Sequence, residues 1–356
     1  QNKDQFRQSL NEGYREVFWP MDQSADGWTD DWQRRDALDA IKAGNVSSEY
    51  GTASTNWSNM YKAITRVLVV IEKLEAQDVL TADDTKLFKA EANFLRASYW
   101  SYLISHYGDV PFYEEELTVE ESFEIGRTNK DEILQRIYAY YDDAALNLPV
   151  SYGGLKYATK GAAYAMKARI ALYMGDHATA AEAAEDCMDL GEYELYPNFE
   201  ELFVSSTKNS KETIFHIPRN ADLNEIRNDN VRDYLPRNHG GWGARNPSWE
   251  LKRDGSNFMG LESTPNPTKK EVLDFSNNSL IKNNDTQSVA AFASFNGLAW
   301  KKGVDEDWKD YLTDPDLIVI RYADVLLMYA EAKIELNQID ASVLGAINQV
   351  RDRAYA

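Results

Sequence analysis

Cysteine is nearly absent from this chain: Cys187 is the only one in 356 residues. That excludes an internal disulfide framework and a multi-cysteine metal site. Cys187 falls among small residues of a helical pattern, so it reads as a buried structural thiol, not a nucleophile. Histidine is scarce too. His106, His177, His216 and His239 show no paired ligand spacing, so zinc is not expected. Cations are outnumbered, with 38 Lys and Arg against 58 Asp and Glu and a net charge of −20. Phosphate contacts need clustered cations, so no nucleic-acid partner is expected. No run of 18 apolar residues occurs, as a membrane-crossing helix would need. The opening QNKDQFRQSL is polar and holds no signal segment. GxSxG, a Walker loop and GxGxxG with a following acid are all missing. With 58 carboxylates some pair always sits at glycosidase spacing, so composition nominates no acid and base. Asp305, Glu306, Asp307 and Asp310 lack the twelve-residue, glycine-turned loop of a calcium site. The expectation is a protein without enzymatic activity, cofactor or metal.

Helical hairpins are what the sequence does contain. Residues 159–191 read as two helices joined at Gly175-Asp176. Tyr164, Ala168, Ala171 and Leu172 share a face of the first helix. Ala180, Ala184 and Cys187 share the facing side of the second. Small residues at the crossing let helix axes approach to the short end of roughly 8–10 Å. A hairpin of about 34 residues built this way is tetratricopeptide-like, and it needs neighbours to bury its apolar face.

Those neighbours are legible along the chain. Residues 1–55 form an N-terminal loop region after a short amphipathic opening at Phe6, Leu10 and Tyr14. From Asn56, apolar residues at Met60, Ile64, Val67, Ile71 and Leu74 mark an amphipathic helix. Thr81 caps a second helix, apolar on two stripes, which Gly108 stops in a left-handed cap before Pro111. Thr128-Asn129 cap a third, which ends at Pro149. Repeat hairpins thus fill 56–191. Residues 192–318 break the pattern with turn residues, though KETIFHIP at 211–218 alternates like a strand. Residues 319–356 return to helix-turn-helix. The predicted fold class is mostly α: one domain of tetratricopeptide-like hairpins with a large loop-rich insertion containing short strands.

Several segments together resemble the SusD/RagB family of outer-membrane nutrient-binding lipoproteins. They are EANFLRASYWSYLISHYGDVPF (91–112), IGRTNKDEILQRIYAYYDDAALNLP (125–149), KGAAYAMKARIALYMGD (160–176), SKETIFHIP (210–218), NPTKKEVLDF (266–275) and RYADVLLMYAEA (321–332). Both order and wording match, over most of the chain. The resemblance implies four helical hairpins packing a loop-rich ligand domain. It implies a lipid-anchored protein on the extracellular face of the outer membrane, anchored through an acylated N-terminal cysteine outside this chain. It implies capture of an oligosaccharide, or in some members a peptide, for a SusC-like TonB-dependent transporter. Family chains continue past RYADVLLMYAEA, so a C-terminal part is expected to be missing.

The family recognises ligand on aromatics in loops. A sugar's C–H face is apolar and its rim is hydroxyl-rich, so a flat ring takes the face and polar groups take the rim. Two clusters fit: Asp26, Trp28, Asp30 and Trp32, and His239, Trp242, Arg245 and Trp249. Tyr50 is a further candidate. Trp57 and Trp100, in helices, read as core, and Trp300 reads as structural. The rival reading, a protein-interaction scaffold using the helical groove, predicts the loop tryptophans to be buried.

Overall fold

The computed structural model describes residues 2–20, 28–29, 32–34, 38–153, 157–220, 222, 242–247 and 315–355. Helix α1 (Lys3–Asn11) buries Phe6 and Leu10. Its N-terminus is a capping box: Asn2 accepts from the Gln5 N–H at 3.0 Å and the Gln5 side chain accepts from the Asn2 N–H at 2.9 Å. The frame then runs through α2 (Gly51–Ala76), α3 (Ala82–Tyr107), the short α4 (Val119–Glu124), α5 (Lys130–Asn147), α6 (Lys160–Tyr173) and α7 (His177–Asp189). It is completed by α8 (Tyr322–Glu335) and α9 (Ala341–Tyr355). Apart from α4, each helix from α2 onward packs on the next, and α8 lands on α7. The chain therefore leaves a helical array, makes its insertion, and resumes the array at the next position.

Side-chain caps place most of these starts. Thr81 accepts from the Asp84 N–H, Asn129 from Asp131, Thr159 from Ala162 and Asp176 from Thr179, at 2.8–3.2 Å. Each such cap stabilises its helix by about 1 kcal/mol. At the α6–α7 crossing Ala168, Ala171, Ala180, Ala184 and Cys187 are fully buried, as their spacing predicts. A Cβ on Gly161 would sit 2.2 Å from the Tyr193 hydroxyl, so only glycine fits there. Helix α3 is covered by α2 and α5, which explains its two apolar stripes: Phe94, Leu95 and Trp100 have no exposed surface.

Three boundaries differ from the sequence pattern. Helix α2 begins at Gly51, five residues before the apolar period, because its first turn is mostly exposed and carries no stripe. Gly108 ends α3 at φ 73°, ψ −130°, a positive-φ state outside the left-handed helical region. Residues Leu317–Arg321 form a strand before α8 begins.

Three two-stranded antiparallel ribbons complete the described structure. Strand β1 (Trp32–Arg34) pairs with β5 (Arg245–Pro247), and β2 (Val110–Pro111) with β3 (Arg127–Thr128). Strand β4 (Thr213–Ile217) pairs with β6 (Leu317–Arg321). The last pair brings the two ends of the insertion side by side. Its base is clamped further: the Arg219 N–H donates to Asp316 Oδ1 at 3.0 Å and Lys208 sits 3.2 Å from the same oxygen. The Arg219 guanidinium also grips Glu16, tying the base to the N-terminal segment.

Two buried carboxylates pin the frame. Glu91 accepts from both terminal nitrogens of Arg7, at 2.6 and 2.7 Å, and from the Tyr14 hydroxyl at 2.8 Å. Glu212 accepts from Arg321 at 2.9 Å, from Arg353 at 2.8 Å and from the Tyr196 N–H at 2.7 Å. Burial of such charges is tolerated only when they are paired and hydrogen-bonded, as both are. Among the described residues no helix is long and apolar enough to cross a membrane.

Candidate functional site

Trp32 of the first aromatic cluster read from the sequence and Arg245 of the second meet in the β1–β5 ribbon. Its register pairs Trp32 with Pro247, Gln33 with Asn246 and Arg34 with Arg245. Inside it the Arg245 guanidinium carbon lies 4.9 Å from the centroid of the Trp32 ring, a cation–π contact. Trp32 is 3% exposed and Arg245 2%, so both are anchors of the ribbon and neither offers an open face to solvent. Lys42 Nζ donates to the Trp32 carbonyl at 2.9 Å, tying the ribbon to the turn that follows it.

Trp242, three residues before β5, is 52% exposed, the most open tryptophan among the described residues. Trp28, before β1, is half-buried. In an antiparallel pair the chain preceding one strand and the chain preceding the other leave from opposite ends. Trp28 and Trp242 therefore precede the ribbon at opposite ends, and the buried Trp32–Arg245 contact lies within it. Tyr50 is half-buried at the N-cap of α2, where its hydroxyl donates to Asp39 Oδ2 at 3.2 Å. Burial, then the Asp39 charge, holds its pKa above the usual phenol value. Asp39 also accepts from the Ile41 N–H at 2.8 Å, so Tyr50 serves as a brace of the 38–45 turn. Asp26, Asp30, His239 and Trp249 lie outside the described residues, as do Trp300 and the acidic residues at 305–310.

The helical tryptophans differ from these. Trp100 is fully buried and Trp57 packs edge-on to Tyr107 at 5.1 Å. Trp19 is buried, its ring against Phe94, Tyr99 and Phe215, with Nε1–H donating to the Gly13 carbonyl at 2.9 Å. Gln33 and Arg34, which pattern reading passed over, stand in the same ribbon. Their signal is pairing with a distant strand, which no local period reveals. Chemically the arrangement offers an aromatic face on a braced ribbon. Among the described residues no group of His, Cys, Asp or Glu is arranged to hold a metal.

Comparison with known proteins agrees with this architecture. A model of the SusD family matches residues 242–356, and a model described as starch-binding associating with outer membrane matches residues 8–172. A curated relative, SusD-like protein P25 of Formosa agariphila, is 23% identical over 88% of this chain and 64% of its own length. The chain spans 64% of the length of the curated relatives it matches. A SusD-like carbohydrate binding protein from Bacteroides fragilis superposes with a TM-score of 0.76 at 26% identity, over 93% of this chain and 72% of that one. A laminarin binding SusD-like protein superposes with a TM-score of 0.79 at 20% identity, over 99% of this chain and 84% of that one. With the helical array, the clamped insertion and both family models in agreement, the chain belongs to the SusD/RagB family.

Proposed function

We propose that the protein binds an oligosaccharide or polysaccharide chain on the β1–β5 ribbon, with Trp242 supplying the principal ring face and Trp28 a second. The supporting observation is Trp242 itself: a large apolar ring, 52% exposed, beside a ribbon braced from within by Trp32 and Arg245. Covering an exposed indole with the C–H face of a sugar removes apolar surface from water on both sides, which favours binding. Burial of Trp32 and Arg245 assigns them to holding the platform, and Tyr50 to bracing the turn beside it. Asp26, Asp30 and His239 remain candidates for the hydroxyl rim, and Trp249 for a further ring face. The scaffold reading, in which the loop tryptophans are buried, is disfavoured by Trp242.

The proposed setting is the extracellular face of the outer membrane. A lipid anchor would precede this chain, and the captured glycan would pass to a SusC-like TonB-dependent transporter. The net charge of −20 favours a neutral glycan over a strongly anionic one. Laminarin and starch are the first probes, because a structural neighbour is described as laminarin binding and a matching family model as starch-binding. Electrophoresis through gels containing each polysaccharide tests the reading. Retardation by one of them is expected, and Trp242→Ala should weaken it by about tenfold, the equivalent of roughly 1.4 kcal/mol. Unchanged retardation of Trp242→Ala removes the site. Retardation by neither, with capture of peptides instead, replaces the ligand class.

A further inference from the structure

Phe123, 84% exposed, is the most open large apolar side chain among the described residues. It stands on helix α4, in the arm between β2 and β3, with Val119 four residues before it and 69% exposed. Residues four apart share one face of a helix. Helix α4 buries no residue, so its Thr118–Glu121 capping box and the root of the arm are what hold it. The root is firm. Tyr61 donates to the Pro111 carbonyl at 2.8 Å, Tyr113 stacks on Tyr61 with ring centroids 6.2 Å apart, and Tyr140 donates to Glu114. Around the two apolar side chains Glu115, Glu116, Glu120, Glu121 and Glu124 are all exposed, and no Lys or Arg stands between 112 and 126. An open phenylalanine in an acidic collar marks a surface that association would cover.

The same chain carries a recess of the opposite character. It is open, about 550 Å³ in volume, and lies along α2. Trp57 and Tyr61, four apart on that helix, give it half-buried rings with centroids 4.9 Å apart. Lys62 and Arg66 give it positive charge, and no carboxylate lines it. Arg66 is engaged by Glu12 at 2.7 Å, whereas Lys62 is exposed and pairs with no carboxylate among the described residues. In a chain of net charge −20 this is a local cationic surface, suited to an acidic element that bears a ring. Arm and recess lie on one side of the molecule. Tyr113, at the root of the arm, stacks on Tyr61 and holds its hydroxyl 3.4 Å from Thr65 Oγ1, and both partners line the recess. A two-fold axis there can lay each arm across the recess of the other copy. We propose that two copies of this protein associate reciprocally, with Phe123 of each seated on Trp57 and Tyr61 of the other and the α4 glutamates facing Lys62 and Arg66. Mutual repulsion of two acidic chains and the small size of the contact keep such a dimer weak. Neither Trp28 nor Trp242 takes part, so the pairing is independent of the glycan-binding reading.

Sedimentation equilibrium over about 10–500 μM tests this, the range in which a small interface forms. Across it the wild type should move from one chain towards two. Phe123→Ser removes an exposed ring and leaves the core untouched, so the fold should stand while association weakens by about tenfold or more. Trp242→Ala should leave association within about twofold, as expected of an independent site. Glu120→Lys with Glu124→Lys on the arm, and Lys62→Glu in the recess, should each weaken association on their own. Mixed in equal amounts, the arm variant and the recess variant should associate again, because each arm then faces an opposite charge at position 62. A single chain throughout the range overturns the proposal and leaves the arm to a different protein. A dimer that Phe123→Ser leaves intact overturns it as well, and so do arm and recess variants that fail to recover one another.

Discussion

At the scale of single residues, exposure decides which aromatics can recognise anything. Trp19, Trp28, Trp32 and Trp242 all stand among polar or turn residues in the sequence. Only packing separates them: Trp19 and Trp32 are 3% exposed and Trp242 is 52%. A ring beside Asp or Gly can close a core, as Trp32 does after Asp31, or open to the surface, as Trp242 does between two glycines. Cys187 was easier to read, because small residues at helical spacing around it specify a crossing. Its thiol is fully buried, and burial pushes its pKa up to about 12. Thiol-reactive dyes at pH 8 should therefore leave the native protein unlabelled and label it once after denaturation; labelling of native protein at the denatured rate would contradict this burial. Gly161→Ala forces a Cβ against the Tyr193 ring. It should cost about 1–3 kcal/mol in a urea titration, the usual penalty for overpacking.

Elements divide into those whose period is local and those made by distant partners. Helices α3, α5, α6 and α7 were legible because their apolar stripes and caps lie within each segment: Thr81, Asn129, Thr159 and Asp176 all cap as their types suggest. The start of α2 was not, since its exposed first turn carries no stripe. Strand β6 is a short apolar run, Leu317–Arg321, that continues into α8 without a turn, so nothing local marks the change from pairing to coiling. The β1–β5 ribbon was wholly illegible, because Trp32 and Pro247 carry no mutual signal. That ribbon is also the element on which the proposed ligand contact depends. Trp32→Ala removes the ring beneath Arg245 and, by the usual cost of emptying a buried aromatic site, weakens local packing by up to about 3–5 kcal/mol. Amide exchange at 32–34 and 245–247 should accelerate while α3 stays protected. An unaltered ribbon would show that Arg245 and Trp32 do not brace it.

The whole molecule is a helical frame whose array is interrupted once and resumed. The clamp of β4 on β6, with Asp316 held by Arg219 and Lys208, lets a long insertion leave and return without opening the stack. The core is rich in phenols. Burial raises the pKa of Tyr141 and Tyr102 to about 12, and raises Tyr99 further. The folded values exceed the ordinary phenol value of 10.0, so the unfolded chain loses these protons first. Stability contributed by the neutral phenols is fully present below pH 10 and is lost as pH rises from there towards 12. Urea midpoints should hold between pH 7 and 9 and fall steeply above 10; a midpoint that rises with pH in that range would show these phenols to be solvated.

Hydrogen–deuterium exchange with and without saturating polysaccharide, laminarin or starch as retained in the gels, tests directly whether loops recognise while helices only support. The account predicts new protection at 28–34 and 242–247, with the exchange of α2, α3, α5 and α6 unchanged. Protection along those helices, with none in the ribbon, would contradict it.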